Sequence, residues 1–178
     1  FSALLRLSRI EAQPATAGDA SVVDLEQLVD DVVELYQPVA AQRGMRLHVV
    51  GAPLQVAGDP DQLFQVLVNL LDNALKYGPA GGTVTLAMAA AGGQVELSVR
   101  DQGPGIPEGD RQRVFDRFER LQADRGQAGT GLGLSLVRAI VARHRGSVVL
   151  SDGDAGPGGS PGLCVTVHLP RRPPAAVT

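Results

Sequence analysis

The stretch LVNLLDNALKYG, residues 67–78, combines an apolar helical pattern with unusual polar residues. It contains both asparagines of the chain, Asn69 and Asn73, and its single lysine, Lys76, whereas the other fifteen basic residues (16 minus 1) are arginines. With 3.6 residues per turn, Gln62, Gln65 and these three residues fall on one narrow stripe of a helix that is otherwise apolar. The stripe is either a solvated face or a ligand site, since amide oxygens suit Mg²⁺ and a lysine suits phosphate.

A second feature is the acid in VELSVRDQGPGIP, residues 95–107. Asp101 is in phase with the apolar positions of the preceding strand pattern, so its carboxylate is expected on the buried face. A buried acid needs a donor, which a backbone turn or the exocyclic amino group of a purine can supply. Gly103 and Gly105 would allow a flat base to approach the backbone closely.

A third feature is the glycine cluster GTGLGL, residues 129–134, which leads into a helical pattern. Glycines at a helix N-terminus expose N–H groups and the positive end of the helix dipole, which favours phosphate. The cluster is not a dinucleotide-binding fingerprint, because no strand leads directly into it. It is not a P-loop either, because the only lysine is followed by Tyr77.

The bulk composition limits the classes of protein. The 178 residues (18.5 kDa) suffice for one well-packed domain, and a net charge of −3 with a pI near 5.6 gives no basic surface for nucleic acid. A single cysteine, Cys164, excludes an internal disulfide. The chain starts at Phe1 without a methionine and contains no apolar run of about 18 residues, so we expect a piece of a longer protein, with any membrane span upstream.

Periodicity predicts a mixture of helices and strands. Asp24 is expected to cap a helix to about residue 43, which Pro38 should kink or end early, and Asp59-Pro60 should start a helix that lasts until Gly78. A third helix is expected in residues 132–146. Strand patterns are MRLHVV, LQVAG, a hairpin TVTLAMA/QVELSVRD around Gly92-Gly93, SVVLS and LCVTVHLP, with a flexible GDAGPGGSPG between the last two. The prediction is an α/β two-layer sandwich.

The three features together, in this order, resemble the ATP-binding domain of the superfamily that unites DNA gyrase, heat-shock chaperone, histidine kinase and mismatch-repair ATPases. NLLDNALKY resembles its N box, DQGPGIP its first glycine box, VFDRFER its F box and GTGLGL its second glycine box. Order and spacing resemble those of bacterial sensor histidine kinases, and the start LLRLSRIEA resembles the end of their dimerisation helix. The implied domains are a helix end and linker over 1–20, an ATP-binding domain over 21–170 and a disordered tail over 171–178.

The resemblance implies a Bergerat-type fold: a mixed, mainly antiparallel sheet with helices on one face and a mobile ATP lid over residues 108–128. Its cofactors would be ATP and Mg²⁺, with Asn73 as the metal ligand through its amide oxygen. The nucleotide-binding residues would be Asn69, Asn73, Lys76, Tyr77, Asp101, Gly103, Gly105, Ile106, Phe115, Gly129, Thr130, Gly131, Leu132, Gly133 and Leu134. Phe115 and Phe118 would anchor the lid.

The resemblance also implies a phosphotransfer role, in which Asn69, Lys76, Arg117 and Arg120 act on the triphosphate. None of the three histidines is followed by an acid, unlike the family's phosphorylated histidine, so the acceptor is expected upstream of Phe1. Asn69 stands where hydrolysing relatives carry a glutamate base, which argues against rapid ATP hydrolysis. The alternatives are such a hydrolase and a non-catalytic module gated by ATP.

The implied partners are the chain's own upstream dimerisation domain and a response regulator, with no nucleic acid. The full-length protein would be a homodimer with this domain in the cytoplasm, either free or anchored in the inner membrane, and the fragment itself would be a monomer.

Overall fold

The computed structural model describes residues 21–116 and 133–172, which form seven strands and three α-helices. The strands are β1 (Ser21–Asp24), β2 (Arg46–Gly51), β3 (Gln55–Gly58), β4 (Thr83–Ala91), β5 (Gln94–Arg100), β6 (Ser147–Asp152) and β7 (Leu163–Pro170). The helices are α1 (Leu25–Gln42), α2 (Pro60–Tyr77) and α3 (Gly133–Arg143). Within these residues no helix is long and apolar enough to cross a membrane.

Five strands form the main sheet in the order β2-β4-β5-β7-β6. Strands β2 and β4 are parallel and the other neighbours are antiparallel. Strands β4 and β5 form the predicted hairpin, in which Ala91 pairs with Gln94 across the Gly92-Gly93 turn. The predicted strand LQVAG lies outside this sheet, because β3 pairs with β1, a short strand that the sequence analysis did not predict.

Both predicted helix caps are present. The Asp24 side chain accepts a hydrogen bond from the backbone N–H of Gln27, and the Asp59 side chain accepts from the N–H groups of Asp61 and Gln62. Helix α1 continues through Pro38 to Gln42, so of the two effects expected of this proline, a kink or an early end, the early end is wrong. A proline without an N–H removes one helical hydrogen bond, and the buried face on either side of it holds the helix together.

The register of the sheet separates a buried face from an open one. The row Leu86, Val99, Val165 and Leu150 runs across four strands, and all four side chains are buried in the core with the helices. Helix α2 lies at the centre of this layer, packed between α1 and α3. The predicted α/β sandwich with helices on one face is confirmed.

Two stretches expected to be unstructured are held by hydrogen bonds. Arg171 and Arg172, expected to start the tail, donate backbone hydrogen bonds to the carbonyls of Gly93 and Gln55. The glycine-rich stretch 153–162, expected to be flexible, is hydrogen-bonded to residues 101–103. The expected dimerisation-helix end (1–20) and residues 173–178 lie outside the described residues.

Candidate nucleotide site

The polar stripe of α2 is half-buried and not a fully solvated face. Gln62, Gln65, Asn69, Asn73 and Lys76 all have intermediate exposure. The Nδ2 of Asn69 is buried and makes no hydrogen bond within the described part of the chain. A buried donor without an acceptor costs about 1–3 kcal/mol, so its presence at this position points to an acceptor that a ligand supplies.

Asp101 lies at the end of β5, as predicted, and is buried with 5% of its surface exposed. Its Oδ1 accepts hydrogen bonds from the backbone N–H of Gly103 (2.8 Å) and of Leu163 (3.1 Å). Burial raises the pKa of the Asp101 carboxyl, these two hydrogen bonds oppose that shift, and the negative charge of Asp154 adds to it. No donor from the described residues reaches Oδ2, which leaves one carboxylate oxygen for a ligand.

The end of α2 meets the turn after Asp101. A Cβ on Gly103 would lie 2.7 Å from the carbonyl oxygen of Tyr77 and 3.1 Å from Oδ1 of Asp101, so only glycine fits between them. The Nζ of Lys76 lies 4.9 Å from the centroid of the Tyr77 ring. The predicted N-box and first-glycine-box residues are therefore neighbours in space, although they are more than twenty residues apart in the chain.

The start of α3 also reaches the stripe of α2. A Cβ on Gly133 would have the Nδ2 of Asn73 as its nearest neighbour, at 3.9 Å. Leu134 is partly buried against the core. Phe115 is buried, as expected of an anchor, and the guanidinium of Arg138 lies 5.3 Å from its ring centroid.

The remaining predicted residues divide into two groups. Gly105 has a left-handed φ of 73°, and Ile106 packs against the core while its carbonyl accepts a hydrogen bond from the Nε of Arg111 (3.0 Å). The other group lies outside the described residues: Arg117, Phe118, Arg120, Gly129, Thr130, Gly131 and Leu132.

The sequence analysis did not identify Gln102 or the 153–162 loop as functional. Gln102 lies in the turn that follows Asp101, and the loop and the strand after it are hydrogen-bonded to that turn. Gln102 lies inside the DQGPGIP motif, but only its flanking residues have an evident chemical role. The loop reads as a flexible linker because half of its residues are glycine.

The side chains on the stripe of α2 suit a Mg²⁺ ion that is bound together with a phosphate group. Over residues 21–116 and 133–172, no group of three or more His, Cys, Asp or Glu side chains could hold a metal ion. The half-buried amides of Asn69 and Asn73 are instead neutral groups, one of which has a free donor. A cation here would take most of its oxygens from a phosphate chain and from water, as Mg²⁺ commonly does.

Comparison with known proteins agrees with this geometry. A sequence model of the family described as "Histidine kinase-, DNA gyrase B-, and HSP90-like ATPase" matches residues 58–173. The chain is 41% identical over 152 residues to the signal transduction histidine-protein kinase/phosphatase MprB of Mycobacterium sp. (strain KMS), which covers 85% of this chain and 29% of that protein. It is 40% identical over 152 residues to the adaptive-response sensory kinase SasA of Crocosphaera subtropica (strain ATCC 51142 / BH68). That match covers 83% of this chain and 38% of that protein.

The solved structure of the mycobacterial sensor histidine kinase MprB has a TM-score of 0.76 and 35% identity to this chain, covering 87% of it and 99% of that structure. The chain thus spans only 29% and 38% of the two curated relatives. The matched residues contain all the described parts of the site, from the stripe on α2 to the start of α3. The chain therefore belongs to the histidine kinase-, DNA gyrase B- and HSP90-like ATPase family, and the relatives reported above are named as a histidine-protein kinase/phosphatase, a sensory kinase and a sensor histidine kinase.

Proposed function

We propose that this chain is the domain of a sensor histidine kinase that binds Mg-ATP and passes its γ-phosphoryl group to a histidine outside residues 1–178. The observation that carries the proposal is the buried, unpartnered Nδ2 of Asn69 on the half-buried stripe of α2. A phosphate oxygen would supply the missing acceptor. The two curated relatives are named as a histidine-protein kinase/phosphatase and a sensory kinase, which supports the same assignment.

The residues divide into an adenine end and a phosphate end. Asp101 would accept a hydrogen bond from the adenine amino group through its free Oδ2, and Gly103 and Gly105 would lie beside the base. At the other end, Asn69 would donate to a phosphate oxygen and Lys76 would neutralise phosphate charge.

Asn73 would offer its amide oxygen to Mg²⁺, beside the helix start at Gly133. Mg²⁺, when bound, would neutralise charge that develops on the phosphates. The remaining predicted contacts of the second glycine box, Gly129–Leu132, and the lid residues Arg117 and Arg120 belong to this proposal too. They would hold the triphosphate and stabilise charge on the γ-phosphoryl group as it transfers.

The histidines of the chain do not suit the acceptor role. His144 uses both ring nitrogens, since Nε2 accepts from the backbone N–H of Asp59 (3.0 Å) and Nδ1 lies 2.8 Å from the carbonyl of Ile140. His168 lies within a strand with its Nδ1 3.7 Å from a Glu96 oxygen, and His48 lies on the edge strand β2 without an acid after it.

The acceptor would then belong to a preceding dimerisation domain, of which residues 1–20 would be the end and linker. Residues 21–170 would be the ATP-binding domain, and residues 171–178 a tail. The full-length protein would act as a homodimer and pass the phosphoryl group to an aspartate of a response regulator.

The test is phosphotransfer in a longer protein that includes the preceding dimerisation helices. It is incubated with γ-labelled ATP and Mg²⁺, and we expect protein-bound label that is labile in acid and stable in base. Asn73→Ala should abolish the label, and Gln65→Ala, on the same stripe but without a proposed role, should keep it. Tight ATP binding without any label would instead support an ATP-gated binding module, and steady phosphate release without label would support a hydrolase.

A further inference from the structure

The loop between β6 and β7, residues 153–162, is bonded along its length to the turn that carries Asp101. The backbone N–H of Asp154 donates to the carbonyl of Asp101 (3.1 Å), and the N–H of Gly162 donates to the carbonyl of Gly103 (2.9 Å). At the start of β7, the backbone N–H of Asp101 donates a further hydrogen bond to the carbonyl of Leu163 (2.9 Å). The loop and the turn therefore form one hydrogen-bonded unit.

Gln102 joins this unit to the main sheet. Its Oε1 accepts from the backbone N–H of Thr83 (2.8 Å) at the start of β4, and its Nε2 donates to the carbonyl of Ala155 (3.2 Å) in the loop. The carbonyl of Gln102 accepts from the hydroxyl of Ser160 (3.2 Å). One side chain thus connects the sheet, the turn and the loop.

Three of the five glycines in the loop allow close contact with the turn. A Cβ on Gly156 would overlap the carbonyl oxygen of Gln102, and a Cβ on Gly162 would overlap that of Asp101. A Cβ on Gly153 would lie 2.7 Å from the same Asp101 oxygen. Any side chain at these three positions would push the loop away from the turn, so packing requires glycine there.

These contacts fix the orientation of the Asp101 carboxylate. The N–H of Gly103 and the N–H of Leu163 both donate to Oδ1 of Asp101, which orients the group and leaves Oδ2 as the only oxygen that can face a ligand. The position of Leu163 depends on the 153–162 loop, which immediately precedes it in the chain. We propose that Gln102 and the 153–162 loop are positioning elements for purine selectivity, because they fix Oδ2 of Asp101 where it can accept from a 6-amino group and repel a 6-oxo group.

This inference rests on the proposed function, and it concerns which base the site accepts. A fixed carboxylate acceptor meets the amino group of adenine with a complementary donor, and it meets the 6-oxo group of hypoxanthine with a second acceptor. A carboxylate that is free to shift along the edge of the base would instead reach the N1–H of hypoxanthine. Loosening the unit should therefore weaken ATP binding and reduce the discrimination against inosine triphosphate.

The experiment measures dissociation constants of Mg-ATP and Mg-inosine triphosphate for this chain, together with the thermal midpoint of each variant. Gln102→Met keeps the volume of the side chain and removes both of its hydrogen bonds. We expect about tenfold weaker ATP binding, inosine triphosphate binding within about twofold of wild type, and hence a selectivity ratio about tenfold lower. Ser160→Ala, which removes one half-buried hydroxyl contact, should lower the ratio about twofold to threefold and serves if Gln102→Met does not fold.

The matched control is Tyr36→Phe, which removes a hydrogen bond between α1 and α2 far from the loop in the chain. It should lower stability without changing the selectivity ratio, which separates positioning from a general loss of structure. An unchanged ratio in both Gln102→Met and Ser160→Ala, with wild-type protein that binds ATP, overturns the inference and leaves the proposed function in place. Wild-type protein that binds no ATP overturns the proposed function itself.

Discussion

Replacing Asn69 with leucine should stabilise the nucleotide-free protein and abolish its response to ATP. The Nδ2 of Asn69 is buried without a partner in the described structure, which is an unfavourable state for a polar group. A fully buried orphan donor costs about 1–3 kcal/mol, and since Asn69 as a whole is only half-buried we take the lower end, about 1 kcal/mol. For a domain of this size the gain corresponds to a rise of about 2–4 °C in the thermal midpoint.

The assay is thermal unfolding of wild type and Asn69→Leu, with and without Mg-ATP. A ligand at a hundred times its dissociation constant adds about 2.7 kcal/mol to the stability of the wild type, while the variant should gain nothing. Asn73→Leu is the matched control, because no atom of Asn73 is a buried orphan among the described residues; it should lose the ATP response without the gain in stability. A thermal midpoint of Asn69→Leu below that of wild type would refute the reasoning, since the amide would then contribute to the fold.

Three further changes test other contacts. Because burial raises the pKa of Asp101, lowering the pH through that raised pKa should weaken ATP binding, which is measured by titration. Asp101→Asn should bind ATP poorly at every pH. An ATP affinity of the wild type that does not change with pH would contradict this prediction. The pH dependence of stability has the opposite sign to that of ATP binding. The carboxyl proton of Asp101 is bound more tightly in the folded state than in the unfolded state, so the contribution of Asp101 to the free energy of unfolding falls as the pH rises through the folded pKa. Tyr36→Phe loses the 2.7 Å hydrogen bond to Asp72 and should lower the free energy of unfolding in urea by about 1 kcal/mol, with ATP affinity unchanged. Gly58→Ala places a Cβ 2.6 Å from the His144 ring and should cost about 1–3 kcal/mol in the same assay, whereas Gly93→Ala, with open space around it, should cost less than half of that.

Features that depend on side-chain chemistry and local periodicity were predictable from the sequence. The capping acids Asp24 and Asp59, the Gly92-Gly93 hairpin and the buried helix α2 each follow from residues close together in the chain. The burial of Asp101 was predictable for the same reason, because strand alternation fixes the face on which a side chain lies. In each case the signal and the structure occupy the same few residues.

Features that depend on contacts between distant backbone segments were not predictable. Strand β1 has four residues and exists through its pairing with β3, more than thirty positions away, so its own sequence carries little signal. The 153–162 loop has a composition typical of a linker, and only the tertiary structure reveals that its N–H groups and carbonyls are bonded to the Asp101 turn. Pro38 favours an early helix end, and burial of the α1 face on both sides of it outweighs that local preference.

The two ends of the site share a physical property that local sequence patterns do not reveal. Asn69 contributes a buried donor without an acceptor, which lowers the stability of the nucleotide-free protein. Asp101 contributes a carboxylate oxygen, Oδ2, that no donor of the described residues reaches. A nucleotide would satisfy both at once, with a phosphate oxygen at one end and an amino group at the other. A ligand that supplies the missing hydrogen bonds stabilises the folded protein, and that gain in stability contributes to its binding affinity. The binding is specific because one unsatisfied group is a donor and the other is an acceptor. On this reasoning Asn69→Leu should abolish ATP binding and Asp101→Asn should weaken it, and both variants should keep the fold.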